Sequence, residues 1–241
     1  RPWSVLCVLL SCMASTYSIA FDRYTAHGGP IKGIAYSERN DLVVTASFDY
    51  TAVVWDAQTM TELSQLVAHT AAVNAAAFSP DGRWLATGGD DGMTYLWSVD
   101  AIRQQQVPIE PVALRGHTAK VVHLSFSADS QMLASSSWDR RVGLWELADI
   151  SKGPEFLSGH QGPVNAALFT KDGEYLYTAG ADGHIRYWRV NSGEYIRSPV
   201  RNGFGVNVMA LDHELGILAY GGANGVKKPH SLHWTGPELE L

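Results

Sequence analysis

Cysteine and charge are scarce in this sequence of 241 residues. The only two cysteines, Cys7 and Cys12, leave the rest of the chain without a disulfide and without a Cys-x-x-Cys-His motif for covalent haem. Only 17% of the residues are charged, and the formal net charge is −6. Because a nucleic-acid surface needs clustered Lys and Arg, we expect no nucleic-acid partner.

Long hydrophobic runs are also missing. The apolar run Val5–Leu10 is shorter than the roughly 20 residues that a membrane-spanning helix needs. It follows the positive Arg1 and precedes Ser18-Ile19-Ala20, a small-x-small pattern typical of the site before a signal-peptidase cut. The sequence therefore predicts a signal peptide over residues 1–20, cleaved after Ala20, and a periplasmic or secreted location.

Two other interpretations of this segment stay open. Leu9-Leu10-Ser11-Cys12 resembles the lipobox of bacterial lipoproteins, in which Cys12 would carry a lipid, and a membrane contact is expected only in that case. Alternatively, the segment is an uncleaved tail of a cytosolic protein, although its apolar content is unusual for a disordered tail.

One spacing recurs four times and organises the rest of the chain. From each histidine to an aspartate is 22 residues, and from that aspartate to a tryptophan is 6. The segment from each tryptophan to the next histidine varies, at 14, 20 and 15 residues. The longest of these connectors contains the polar stretch Arg103–Pro108, which we predict to be a loop at the rim. A fixed core with variable connectors is typical of stacked structural repeats.

The repeat, from about Tyr24 to Gly225, resembles the WD-repeat family, in which roughly 40 to 45 residues make one four-stranded blade of a β-propeller. The histidine-to-histidine spacings of 42, 48 and 43 agree with that period. The resemblance implies an all-β, WD-repeat β-propeller of four full blades and a partial fifth, which we expect to belong to a larger, seven-blade ring. The propeller region 21–226 divides into the blades 27–68, 69–116, 117–159, 160–201 and, in part, 202–226.

The fifth repeat loses the pattern. Asn202 replaces the histidine, Asn224 the aspartate, and His230 stands where the tryptophan is expected. Pro229 would remove a hydrogen-bond donor from the third strand. We therefore predict an irregular tail over residues 227–241. At the other end, residues 21–25 are either a strand that closes the last blade, as the resemblance implies, or a simple leader into blade one.

Each repeat holds a set of four side chains, called a tetrad here. The tetrads combine a histidine, a hydroxyl, an aspartate and a tryptophan: His27, Thr45, Asp49 and Trp55; His69, Thr87, Asp91 and Trp97; His117, Ser135, Asp139 and Trp145; and His160, Thr178, Asp182 and Trp188. In the family these groups form a hydrogen-bonded chain from indole to hydroxyl to imidazole to carboxylate. A hydroxyl, a histidine and an aspartate also suggest nucleophilic catalysis. Fourfold repetition at one spacing favours a structural role instead, and we expect no catalytic residues, no metal site and no cofactor in this chain.

The function is expected on the face where the loops meet. The resemblance places there the residue before each structural aspartate and residues near the start of each first strand. These are Phe48, Asp90, Trp138 and Ala181, and Lys32, Lys120, Asn74 and Asn165. Phe48 and Trp138 are the preferred contacts, because exposed aromatic side chains anchor interfaces. The alternative is that each ring packs over its own turn and that Asp90 and Lys120 are ordinary solvated charges.

The sequence therefore predicts a non-enzymatic, exported protein-binding scaffold whose partner is a protein. A second interpretation comes from the segments Phe21–Tyr24 and Ala46–Asp49, which resemble exported bacterial propellers joined to c-type cytochrome domains. In that case the chain is the propeller module of a periplasmic electron-transfer protein. Its haem domain would lie outside this chain, and its partner would be a redox protein.

Overall fold

The computed structural model describes residues 26–201, 203–214, 216–222, 225–226, 230–231, 233–235 and 238–240. The predicted signal peptide, Cys12 and the predicted closing strand over 21–25 lie outside these residues.

Four complete antiparallel sheets and a modified fifth follow one another along the chain. Blade one contains β1 Ile31–Ser37, β2 Leu42–Ser47, β3 Thr51–Asp56 and β4 Glu62–Val67. Blade two contains β5 Val73–Phe78, β6 Trp84–Gly89, β7 Thr94–Ser98 and β8 Val112–Leu114. Blade three contains β9 Val121–Phe126, β10 Met132–Ser137, β11 Arg141–Glu146 and β12 Glu155–Ser158. Blade four contains β13 Val164–Phe169, β14 Tyr175–Gly180, β15 His184–Arg189 and β16 Tyr195–Arg201. The predicted propeller architecture of four full blades and a partial fifth is confirmed.

The fifth blade has a divided third strand. It begins with β17 Val206–Asp212 and β18 Ile217–Gly222. The short strands β19 Gly225–Val226 and β20 His230–Ser231 then pair with opposite ends of β18, where the other blades have one continuous strand. Within the predicted tail, β21 His233–Thr235 and β22 Glu238–Glu240 form a separate two-stranded sheet.

The core consists of one apolar cluster between each pair of neighbouring blades. Leu42 of blade one packs with Leu85 and Trp97 of blade two, and the three following blade pairs have clusters in the same place. The first strands of successive blades, β1, β5, β9, β13 and β17, also contact one another. Strands with both faces covered need the nearly continuous apolar runs that this sequence has.

Two connectors after the third strand contain helical segments. Between β7 and β8 the chain forms helix α1, Val99–Arg103, and between β11 and β12 it forms a 3-10 helix, Leu147–Lys152. Helix α1 precedes most of the stretch predicted as a rim loop and buries Val99 and Ile102. No helix of the described residues is both long and apolar enough to cross a membrane.

Antiparallel order gives the molecule two distinct faces. The turns from second to third strand, such as β2–β3, lie at one end, which we call the upper face. The turns from first to second and from third to fourth strand lie at the opposite end, the lower face.

Candidate partner-binding face

The four tetrads connect the loops of the upper face to the blades. In all four, the tryptophan Nε1–H donates to the hydroxyl oxygen over 2.8–3.0 Å. The hydroxyl lies 2.8–3.0 Å from the histidine Nε2. The histidine Nδ1 lies 2.8–3.0 Å from the nearest aspartate oxygen. Every member therefore has partners inside the fold, and the hydroxyls of Thr87, Ser135 and Thr178 are fully buried.

The aspartates also bind backbone on both sides of the upper loops. Asp49 accepts from the N–H of Gly28, next to its histidine, and from the N–H of Thr51, at the start of β3. Burial raises the pKa of Asp49, but hydrogen bonds from Thr51 and His27 outweigh it and lower the pKa to about 2. Asp182 likewise has its pKa lowered to about 2, because hydrogen bonds from Gln161 and His160 outweigh burial. These carboxylates stay ionised and fix the loops to each other.

Blade four adds an arginine to its tetrad. The Arg186 Nη1 lies 2.8 Å from Asp182 Oδ2 and 2.6 Å from His160 Nδ1. Burial and the Arg186 charge together lower the pKa of His160 to about 4, so the imidazole is neutral at physiological pH. Sequence reasoning missed Arg186, because the other blades carry unrelated residues at this position and only recurring positions were informative.

The predicted binding residues lie together in one groove of the upper face. Its cavity has a volume of about 500 Å³ and is lined by Lys32, Phe48, Asn74, Asp90, Lys120, Trp138 and Asn165, with Val122 and Asn207 in addition. All five blades contribute to it. Of the predicted residues, Ala181 does not line the groove.

The ammonium group of a lysine lies over each of two aromatic rings in the groove. The Lys32 Nζ lies 5.2 Å from the centre of the Phe48 ring, and the Lys120 Nζ lies 5.3 Å from the centre of the Trp138 ring. These distances are those of cation–π contacts. Phe48 remains 42% exposed and Trp138 48% exposed. Much of both rings is therefore available to a partner.

The polar groups of the groove are held by neighbouring blades. Asp90 accepts from Lys120 Nζ at 2.5 Å and from Asn74 Nδ2 at 2.7 Å. Asn165 Nδ2 donates to the backbone oxygen of Val206 in the next blade at 2.9 Å. Lys32, by contrast, forms no ion pair with any carboxylate of the described residues. The groove thus offers one cation that is free for an acidic group and two rings for apolar contact.

We looked for catalytic and metal-binding groups in the described part of the chain. The serine and threonine hydroxyls of the tetrads are buried against tryptophan, so no substrate reaches them. No group of three or more His, Cys, Asp or Glu among these residues is arranged to hold a metal ion.

Comparison with known proteins places the repeats in a family. The sequence profile described as "WD domain, G-beta repeat" matches residues 19–56, 60–98, 110–146 and 154–189. The chain is 33% identical over 84 residues to periodic tryptophan protein 2 homolog of Neurospora crassa, covering 35% of this chain and 9% of that protein. It is 27% identical over 180 residues to apoptotic protease-activating factor 1 of Rattus norvegicus, covering 75% of this chain and 11% of that protein. It is 23% identical over 183 residues to transcription initiation factor TFIID subunit 5 of Caenorhabditis elegans, covering 75% and 26% respectively.

These relatives are much longer, since the chain spans at most 26% of the three named here. Proteins with these repeats generally serve as protein-interaction scaffolds. The profile match covers more than half of the chain, at the same repeats that form the four complete blades. The chain therefore belongs to the WD40-repeat family.

Proposed function

We propose that this chain is a non-enzymatic scaffold that docks a protein partner in the groove of its upper face. One observation carries the proposal: Phe48 and Trp138, from different blades, are 42% and 48% exposed and line one shared groove. Exposed aromatic side chains in a concave surface are typical binding hot spots. The unpaired Lys32 favours a partner segment that brings a carboxylate to the groove as well as an apolar side chain.

The test compares the proteins retained by three immobilised forms of the chain. The double variant Phe48→Ala/Trp138→Ala removes both rings, whereas Tyr195→Ala removes an aromatic side chain of similar exposure, 46%, from an outermost strand. We expect the wild-type chain and Tyr195→Ala to retain the same proteins and the double variant to lose at least one of them. An unchanged set on the double variant would contradict docking in this groove.

We also propose that the protein is exported, which rests on the apolar run Val5–Leu10 and the small residues before Phe21. Expression of the full gene in its natural host, followed by N-terminal sequencing of the mature protein, tests this. Export with cleavage after Ala20 gives a protein that begins at Phe21. Recovery of uncleaved protein in the cytosol argues against export, and a lipid-modified Cys12 at the N-terminus shows the lipoprotein route instead. If the protein is exported by either route, a periplasmic redox protein is a partner to seek among the retained proteins.

A further inference from the structure

A larger cavity lies on the lower face, between blades three and four. Its volume is about 620 Å³, within the range of roughly 300 to 1,000 Å³ typical of ligand sites. Met132 and Leu144 of blade three and Val190 of blade four form its apolar floor. The cavity is at the opposite end of the strands from the groove of Phe48 and Trp138, so it is a separate site.

In the two preceding blade pairs, the chain itself covers the corresponding surface. Val99 and Ile102 of helix α1, two and five residues after the repeat tryptophan, pack into the cluster of Leu42 between blades one and two. Leu147 and Ile150 of the 3-10 helix hold the same two positions and pack between blades two and three. An aliphatic pair three residues apart therefore closes each of these interfaces on the lower face.

Blade four has only the first of the two aliphatic residues. Val190 corresponds to Val99, but the position of Ile102 is taken by Gly193 in the tight turn from β15 to β16. Gly193 has φ +61°, and a Cβ there would press against the carboxylate of Glu155. Blade four therefore supplies no second aliphatic side chain, and the floor around Met132 stays uncovered.

The rim of this cavity is strongly acidic. Glu146, Glu155, Asp172 and Glu174 surround it, against a single cation, Lys152. Lys152 is already paired with Glu146 at 3.2 Å. Three of the four carboxylates are therefore left to attract a positive group from outside.

Helix α1 fills the interface between blades one and two, and it shows which kinds of side chain fit such a surface. Ile102 is followed directly by Arg103, whose Nη1 donates across the interface to the backbone oxygen of Asn40 at 2.7 Å. An aliphatic side chain covers the apolar floor, and the adjacent cation reaches the rim.

From these observations we propose that the lower cavity docks a short segment of a partner protein in which an aliphatic residue is directly followed by Lys or Arg. The partner's aliphatic side chain takes, between blades three and four, the place that Ile102 takes between blades one and two. Its cation faces Glu155, Asp172 and Glu174.

The probe for the test is a synthetic peptide with the sequence of Ser98–Gln106, which contains the Ile102-Arg103 pair. The protein is the full chain with 13C-labelled methionine methyl groups, because Met132 lies on the cavity floor and reports binding there directly. We expect a saturable shift of the Met132 methyl signal with a dissociation constant of about 1 mM or below. The peptides with Ile102→Asp or Arg103→Glu are the matched controls, and we expect no shift with the first.

The charge contribution is tested with Glu155→Lys/Glu174→Lys in the full chain. Both residues are exposed and lie in turns or at a strand end, so the fold is expected to persist, with unchanged signals from the other methionines as the check. Reversal of two rim charges should weaken the wild-type peptide about tenfold. The Phe48→Ala/Trp138→Ala variant should bind it as the wild-type chain does, which separates this site from the groove.

Four results would overturn the proposal. The Met132 signal could fail to move at peptide concentrations of about 5 mM, or the charge-reversed chain could bind equally well. A Met132 shift that depends on protein concentration without peptide would identify a second copy of the chain as the occupant. A shift on removal of residues 1–25 would identify the chain's own N-terminal segment.

Discussion

Replacing Thr87 by valine is expected to destabilise the fold strongly, although the two side chains have nearly the same shape. The Thr87 hydroxyl is fully buried, accepts from Trp97 Nε1–H at 3.0 Å and lies 3.0 Å from His69 Nε2. Valine leaves both the indole N–H and the imidazole nitrogen without a partner. A buried polar group that loses its partner costs about 1 to 3 kcal/mol, so we expect a loss of roughly 2 to 5 kcal/mol in the free energy of unfolding.

Two matched variants isolate this effect. Thr87→Ser keeps the hydroxyl and loses one methyl group, which costs about 1 kcal/mol. Thr45→Val removes the corresponding hydroxyl of blade one, where Trp55 is only half-buried and water can replace the lost partner. We expect a smaller loss there than for Thr87→Val.

The assay is urea unfolding followed by tryptophan fluorescence, with the free energy of unfolding taken from the midpoint and slope. If Thr87→Val and Thr87→Ser lose the same stability within about 0.5 kcal/mol, the reasoning is refuted. The hydrogen-bonded chain would then be incidental to the fold.

Three further predictions concern charge, backbone strain and the exposed first strand of blade one. The pKa of His160 is lowered to about 4 in the folded chain. In the unfolded chain this imidazole binds a proton near pH 6.5, whereas in the folded chain it stays neutral until the pH is much lower. The free energy of unfolding should therefore fall by about 2 kcal/mol between pH 7.5 and 5 in urea unfolding at each pH. Burial is the larger cause of the low pKa, so Arg186→Val should keep part of this fall, and no fall in the wild-type chain would contradict the assignment. Arg140 has φ 74°, a conformation that strains residues other than glycine, so Arg140→Gly should raise the thermal midpoint by the equivalent of about 1 kcal/mol. Gly183 has φ 78°, and Gly183→Ala should lower the midpoint for the same reason. Opposite signs would refute the strain argument. Ile34 on β1 is 71% exposed, so we expect the chain to self-associate through this apolar face and Ile34→Glu to reduce the self-association seen in sedimentation velocity. An unchanged distribution would show that this face does not associate.

The sequence predicted the blades because the hydrogen bonds of each tetrad fix the spacing between its residues. The histidine and the aspartate of a tetrad must meet across the first hairpin. The aspartate lies in the turn from the second to the third strand, and the tryptophan on the third strand must reach the hydroxyl on the second. An insertion between them would break the hydrogen bonds, so the distances of 22 and 6 residues recur. The grouping of Phe48, Asp90 and Trp138 follows from the same constraint, since each precedes its aspartate by one residue.

What escaped prediction lies at positions that the repeat does not control. Arg186 contacts the tetrad histidine His160, but no other blade has an arginine at this position, so no periodic pattern in the sequence indicated the contact. The helix Val99–Arg103 is only five residues long, too short for a convincing amphipathic pattern, and its stability comes from burying Val99 and Ile102 rather than from helix propensity. The lower cavity lies between two blades, so it is visible only once neighbouring blades are packed together.

The two proposed binding sites depend on different parts of the repeat. On the upper face the loops of the tetrads have constant length, whereas the residue before each aspartate changes from Phe48 to Asp90 to Trp138. On the lower face the connectors vary in length and decide whether an interface between blades is filled or open. Strands of six residues separate the faces by roughly 20 Å. On these two proposals the chain binds an acidic, apolar segment above and a basic, aliphatic segment below at the same time, because neither segment contacts the residues proposed to bind the other.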